Sequence, residues 1–232
     1  MNKKIITGVV VLVVIGVIVG GYVVMKGKCS KPIPVPITPR STAMLPITDA
    51  LKFKAEYEAL NSELNEEGQP AHKQLLIDGE NNIVYLNYQD LLQFVDSGLG
   101  VLYFGRPGCP RCRDLVPTML DFAKEKGIPI YYYNIEQDRT EHNEQYKHIL
   151  SLFDAYLSID TITQNEEDPD FDPTLKRVIL PHLFFMETGE IKADLYAFQH
   201  EYLEYGEVEN MRRLLIDKYS TIAGSSCAQN DC

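Results

Sequence analysis

The sequence contains no tryptophan, no acidic residue before Asp49 and no charged residue from Ile5 to Met25. An uncharged apolar stretch of that length would span about 31 Å as a helix, close to the hydrocarbon thickness of a bilayer. We therefore predict one transmembrane helix over residues 5–25, after a cytoplasmic N-terminus of residues 1–4. A cleaved signal peptide is the alternative, but the run is long for one and no small-residue cleavage site follows it.

Lysines flank both ends of this segment, with Lys3 and Lys4 before it and Lys26, Lys28 and Lys31 after it. The positive-inside rule therefore decides little about its orientation. We place the N-terminus in the cytoplasm because of the thiol chemistry described below, which suits an oxidising space.

Acidic residues are concentrated in the rest of the chain. From Asp49 onward, 16 basic residues stand against all 33 acidic ones, which gives this part a net charge of −17. Such a surface argues against nucleic acid and anionic lipid as partners. It either attracts cationic substrates or is an ordinary soluble surface with no preferred partner.

The composition also sets domain boundaries. Prolines at positions 32, 34, 36 and 39 predict an extended linker over residues 26–46, and the 47–223 stretch is long enough for one domain with its own core. Residues 224–232 form a polar tail that carries Cys227 and Cys232. The sequence does not decide whether these two cysteines, or Cys29 in the linker, pair, relay electrons or are inert.

The chemistry-bearing feature is the motif Cys109-Pro110-Arg111-Cys112, which follows an apolar run and begins a helical pattern. At such a junction, unpaired backbone N–H groups and the helix dipole stabilise a thiolate at Cys109. Pro110 fits the first helical turn, and Cys112 lies one turn on, within reach of a mixed disulfide formed at Cys109. The spacing is typical of dithiol–disulfide exchange, although zinc sites share it.

Cationic side chains surround the two cysteines. Arg106, Arg111 and Arg113 are expected to lower the thiol pKa further. A thiol of low pKa is a good leaving group, which favours an oxidising pair.

The hydrophobic periodicity of the domain predicts alternating strands and helices. The first expected helix begins at Thr48 or Asp49 and ends by Gly68. The other expected helices cover Asp90 to Ser97, Pro110 to Lys126, His142 to Leu157 and Glu207 to Tyr219. The expected strands are 82–86, 100–104, 128–135, 183–186 and 191–196. This order predicts an α/β fold with a central mixed sheet flanked by helices.

With these elements in place, the chain resembles the thioredoxin superfamily. Pro117 lies eight residues after Cys109, where thioredoxins carry a kink proline, and Val178 to Gly189 resembles the segment that holds the family's cis-proline, matched here by Pro181. The resemblance implies a thioredoxin fold in which Cys109 attacks and Cys112 resolves. It also implies that Pro181 shapes the substrate groove, and that the only redox group is the Cys109–Cys112 disulfide, with no cofactor or metal.

The departures from that family concern the surroundings of the cysteines. Tyr103 stands where thioredoxins have a buried Asp, about Tyr132 where they have a Lys, and Gly108 where they have a Trp. A centre without the buried Asp and Lys resembles an oxidase or isomerase more than a general reductase. His182 follows Pro181 and is expected near the thiols.

Three segments, Glu56 to Asn61, Tyr103 to Arg113 and Ile130 to Ile135, are similar to the Gram-positive bacteriocin accessory thioredoxins. This implies a single-pass cell-membrane protein with an extracytoplasmic domain that forms or isomerises disulfides in secreted Cys-containing peptides, with a redox recycling partner. The alternatives are a thiol reductase supplied by a membrane electron donor, and a non-catalytic binding module whose bridge is structural.

Overall fold

A computed structural model describes residues 48–160, 172, 174–196 and 208–227. The predicted transmembrane helix, the proline linker, Cys29 and Cys232 lie outside these residues, and Cys227 is placed only as the last residue of a helix. Within the described ranges, no helix is long and apolar enough to cross a bilayer.

Six α-helices and seven strands make up the described part of the chain. The helices are α1 (Asp49–Ala59), α2 (Tyr88–Ser97), α3 (Pro110–Lys126), α4 (Glu136–Glu141), α5 (Glu144–Leu152) and α6 (Val208–Cys227), with short 3₁₀ turns at Leu60–Ser62 and Asp154–Tyr156. The strands are β1 (Ile83–Tyr85), β2 (Gly100–Gly105), β3 (Ile130–Asn134), β4 (Ser158–Ile159), β5 (Lys176–Arg177), β6 (His182–Glu187) and β7 (Glu190–Tyr196).

Five strands form one sheet in the order β1-β3-β2-β6-β7, while β4 and β5 pair separately. Strands β1, β3 and β2 run parallel, and β6 and β7 are antiparallel to their neighbours. The β6–β7 hairpin turns at Thr188 and Gly189, which both have positive φ. The predicted mixed sheet is therefore confirmed, and its strand order fits a thioredoxin-like fold.

The sheet separates two hydrophobic cores because side chains alternate along each strand. On β2, Val101 and Tyr103 face the core that contains α1 and α3, while Leu102 and Phe104 face the core on the other side. Both sulfurs of the Cys pair lie at the boundary of the second core.

Local sequence signals explain the ends of the helices. Thr48 caps α1, with its hydroxyl accepting a hydrogen bond from the Leu51 N–H, and α3 ends at Gly127 in the left-handed conformation. Both boundaries agree with the prediction.

Three predicted helices differ from those observed. Helix α1 ends at Ala59, well before the limit at Gly68 that the sequence predicted, and Leu64 beyond its end is 64% exposed. The single helix predicted from His142 to Leu157 is instead α4 followed by α5, because His142 adopts a left-handed conformation and Asn143 caps a new helix. The last helix continues to Cys227 instead of ending at Tyr219.

Candidate active site

The two cysteines lie where β2 passes into α3, and both are free thiols. Cys109 is the N-cap of α3, Pro110 occupies its first turn, and the Cys112 backbone N–H donates to Cys109 Sγ over 3.2 Å. Cys109 is 7% exposed, whereas Cys112 is fully buried. Cys109 alone therefore offers its sulfur to a partner from outside.

The surroundings of Cys109 favour its thiolate and lower its pKa to about 7. The largest cause is a hydrogen bond from the Cys112 thiol, which outweighs the opposing effect of burial. The Cys112 N–H, the charge of Arg106 and the Arg111 N–H add to the lowering. This is the combination of helix start and nearby cation that activates cysteine nucleophiles.

Cys112 behaves in the opposite way. Burial, followed by its hydrogen bond to Cys109 and the negative charge there, raises the Cys112 pKa well above the usual value. The Arg106 backbone N–H and then the Tyr103 hydroxyl oppose this rise and favour the Cys112 thiolate. Cys109 is therefore the nucleophile that ionises near neutral pH, and Cys112 is a buried thiol that stays protonated there.

Buried tyrosines lie beneath the pair, in the core that contains α1. The Tyr103 and Tyr57 hydroxyls are 3.0 Å apart, and both side chains are fully buried. The Tyr103 ring leans along β2 toward the site, and a Cβ on Gly105 would come within 2.2 Å of its hydroxyl. A glycine at position 105 therefore leaves free the space that the Tyr103 hydroxyl occupies.

The predicted cis-proline segment closes the other side of the site. The Leu180–Pro181 peptide bond is cis, and Cys109 Sγ lies 3.8 Å from the Leu180 carbonyl oxygen. The backbone before Pro181 therefore contacts the Cys109 sulfur directly.

His182 is brought to the same strand end but is engaged elsewhere. Its Nε2 lies 3.0 Å from Asp194 Oδ2, and its ring stacks on Phe184. Burial lowers the His182 pKa, against the raising effect of Asp194. These contacts hold the His182 ring in the sheet. They join the ring to Asp194 and Phe184, and neither of them involves a cysteine sulfur.

The arginines divide into different roles. Arg106 forms an ion pair with Glu136, with 2.6 Å between Nη1 and Oε1, and its charge acts on Cys109. Arg111 is exposed and acts on Cys109 through its backbone N–H.

Arg113, which was expected to lower the thiol pKa, has a structural role instead. Its fully buried guanidinium donates to the Tyr57 carbonyl at 2.8 Å and to the Lys73 carbonyl at 2.7 Å. It also donates to Pro107 O at 3.2 Å and Asn61 Oδ1 at 2.8 Å. Arg113 thus ties the 57–73 segment to the start of α3, and it does not point at the sulfurs.

Sequence reasoning missed Tyr57, the Leu180 carbonyl and the structural use of Arg113. Tyr57 lies among the buried residues of α1, and its partner Tyr103 is 46 residues away in sequence, so no local pattern connects the two. A cation inside the first turn of a core helix was a signal for Arg113, since a buried charge needs several hydrogen-bond partners.

A scan of protein-family models and a search of curated proteins gave no match to this chain. Among solved structures, the chain is similar to thioredoxin O2 and thioredoxin O1 from Arabidopsis thaliana, both in the oxidised state, at 14% and 15% sequence identity. The similarity covers 60% of this chain and 96% and 99% of those chains, with a TM-score of 0.37 in each case. The fold assignment rests on the strand order above, and the relation to bacteriocin accessory thioredoxins stays a prediction.

Proposed function

We propose that the protein is a thiol–disulfide oxidoreductase, anchored in the membrane with its domain outside the cytoplasm, that forms or isomerises disulfides in secreted Cys-containing peptides. The observation that carries the exchange chemistry is the asymmetry of the pair. Cys109 reaches the surface with a pKa of about 7, and Cys112 is buried behind it with a raised pKa. Two structural thiols would not need that difference.

In the oxidising direction, a substrate thiolate attacks Cys109 Sγ of the Cys109–Cys112 disulfide. The enzyme disulfide breaks, a mixed disulfide forms at Cys109, and Cys112 leaves as a thiolate that takes up a proton. A second thiolate of the substrate then attacks the substrate sulfur that is bonded to Cys109. This forms the substrate disulfide and releases Cys109 as a thiolate. The substrate loses two electrons and two protons, and the enzyme gains two electrons as its dithiol.

The surrounding residues have separate parts in these steps. The low pKa of Cys109 makes it a good leaving group in the second step, and Arg106 contributes to that. The Tyr103 hydroxyl stabilises the Cys112 thiolate in the first step. Leu180 and Pro181 form the wall against which the substrate backbone lies.

The location and the recycling partner rest on the sequence. The uncharged segment of residues 5–25 supports the anchor, and an oxidising centre suits an extracytoplasmic space. Continued turnover requires a disulfide-bearing partner that accepts the two electrons from the reduced pair.

The test is the formation of a disulfide in a reduced dithiol peptide by the oxidised full chain. Cys109→Ser is expected to abolish exchange and to leave no mixed disulfide. Cys112→Ser, mixed instead with the peptide in its disulfide form, is expected to trap a mixed disulfide at Cys109, because the Cys109 thiolate attacks the peptide disulfide and no second enzyme thiol releases it. Exchange that survives Cys109→Ser but not Cys112→Ser would reverse the assigned roles, and exchange that survives both would refute the proposal.

A further inference from the structure

Two arginines meet at the carboxyl ends of the parallel strands. Arg106 follows β2 and Arg139 lies in α4, which follows β3, and the register pairs Gly105 with Asn134 at this edge. Glu136 anchors Arg106 at 2.6 Å. Arg139 is one turn after Glu136 on α4, so it projects from the same side of that helix.

A third arginine approaches from the segment that leads to the cis-proline. Arg177 lies in β5, four residues before Pro181, and its Nη1 is 3.3 Å from Asp160 Oδ1. The charges of Arg177 and Arg106 act on Arg139 and, after burial, lower its pKa. Arg139 therefore lies within electrostatic range of both other guanidinium groups.

This arginine cluster, Arg106, Arg139 and Arg177, has unused hydrogen-bond donors. The Nε atoms of Arg106 and Arg177 are buried without a hydrogen-bond partner. Arg139 is half-buried, and within the described part of the chain its guanidinium forms neither an ion pair nor a hydrogen bond. The adjacent Asp138 is turned away, toward Tyr133 and Asn143.

An unpaired, half-buried cation beside two like charges is costly, and an added anion would relieve that cost. The cluster also reaches the reacting cysteine, because the Cys109 backbone N–H donates to the Arg106 carbonyl over 3.3 Å and the charge of Cys109 acts on Arg139. An anion held here would be carried by the molecule that reacts with Cys109.

We propose that the arginine cluster binds a carboxylate that the substrate carries next to its reacting cysteine. This inference rests on the proposed exchange function and identifies its substrate class. It departs from the expectation that the acidic body selects cationic substrates, because a planar guanidinium at the site recognises a carboxylate at short range whereas net charge acts mainly on the rate of encounter.

The experiment uses the full chain, oxidised, and three dithiol peptides that differ only in the residue before the first cysteine, which is Glu, Gln or Lys. The second-order rate of peptide oxidation is expected to fall in that order, with about a tenfold preference for Glu over Gln, as for a hydrogen bond between charged groups. In Arg139→Gln the Glu-to-Gln ratio should fall to about one. Arg212→Gln, which removes a cation paired with Glu125, is the control and should keep the wild-type ratio.

Each contrary result has a separate meaning. Equal rates for the three peptides in the wild type would overturn the carboxylate site and leave the exchange function standing. A uniform slowing of all three by Arg139→Gln would also overturn it, because Arg139 would then act only on Cys109. Absence of exchange with every peptide would refute the proposed function itself. The reduced protein acting on dithiodipropionate and on the neutral bis(hydroxyethyl) disulfide then tells whether small carboxylates are recognised as well as peptides.

Discussion

Tyr103→Phe tests how a buried thiolate is stabilised without a buried carboxylate. The change removes one hydroxyl, which favours the Cys112 thiolate and lies 3.0 Å from the Tyr57 hydroxyl, and leaves the ring in place. A hydrogen bond to a charged group contributes about 1.5–3 kcal/mol, so the Cys112 pKa should rise by about one to two units.

The kinetic effect follows from the charge on Cys112 when it leaves. If about half of the full charge has developed in the transition state, the attack of a substrate thiolate on Cys109 should slow by about 3- to 13-fold. The reduction potential should change little, because Cys112 is already protonated in the reduced protein at neutral pH. A change in rate without a change in potential distinguishes this role from a general loss of structure.

The assay is single-turnover oxidation of a dithiol peptide by the oxidised full chain, with the potential measured on the same samples. A second readout is the pH profile of Cys112 alkylation in a Cys109→Ser background, which should move to higher pH. Tyr132→Phe is the matched control, since Tyr132 pairs with Tyr103 across β3 and β2, and its buried hydroxyl has no hydrogen-bond partner among the described residues. An unchanged rate in Tyr103→Phe, or an equal loss in Tyr132→Phe, would refute the reasoning.

Three further predictions follow from the same contacts. Arg106→Gln should raise the Cys109 pKa above about 7, so the rate of Cys109 alkylation should become half-maximal at a higher pH, and an unchanged profile would contradict the assigned electrostatic role. Arg113→Met leaves buried carbonyl oxygens without donors and should lower the free energy of unfolding by about 3 kcal/mol in urea, while exchange per folded molecule persists. In intact reduced cells, an alkylating reagent that cannot cross membranes should label Cys109, and protection until lysis would place the domain in the cytoplasm.

The stability of the reduced protein depends on pH through Cys109. The Cys109 pKa is lower in the folded, reduced protein than in the unfolded chain, so between about 7 and the ordinary thiol value the unfolded state binds more protons. The reduced protein therefore gains stability as the pH rises through that window, and loses this contribution as the pH falls through about 7.

The sheet and the position of the two cysteines at the start of α3 could be predicted from the sequence, because both depend on local signals. The Cys109-Pro110-Arg111-Cys112 motif sets its own geometry through the N-cap of α3, and alternation within β2 identifies a buried strand. Pro181 was found through the resemblance of its segment to a known family.

The remaining features depend on contacts between distant residues. Tyr57 reaches Tyr103 only because α1 packs on the sheet, and Arg113 donates to acceptors in a segment 40 to 56 residues earlier. The sequence around the motif suggested Arg106, Arg111 and Arg113 as nearby cations, but not Arg139, because α4 was not expected as a separate helix. A local pattern of residues does not predict the direction of each side chain or the packing of distant segments.

The central claim, that this centre oxidises substrates, is tested most directly by the reduction potential of the Cys109–Cys112 pair. The full chain, with Cys29, Cys227 and Cys232 replaced by serine, would be equilibrated with glutathione buffers and the fraction of disulfide measured. We predict a value near about −120 to −180 mV, the range of oxidases and isomerases. A value near about −270 mV, as in reducing thioredoxins, would contradict the account and identify the protein as a reductase that requires an electron donor.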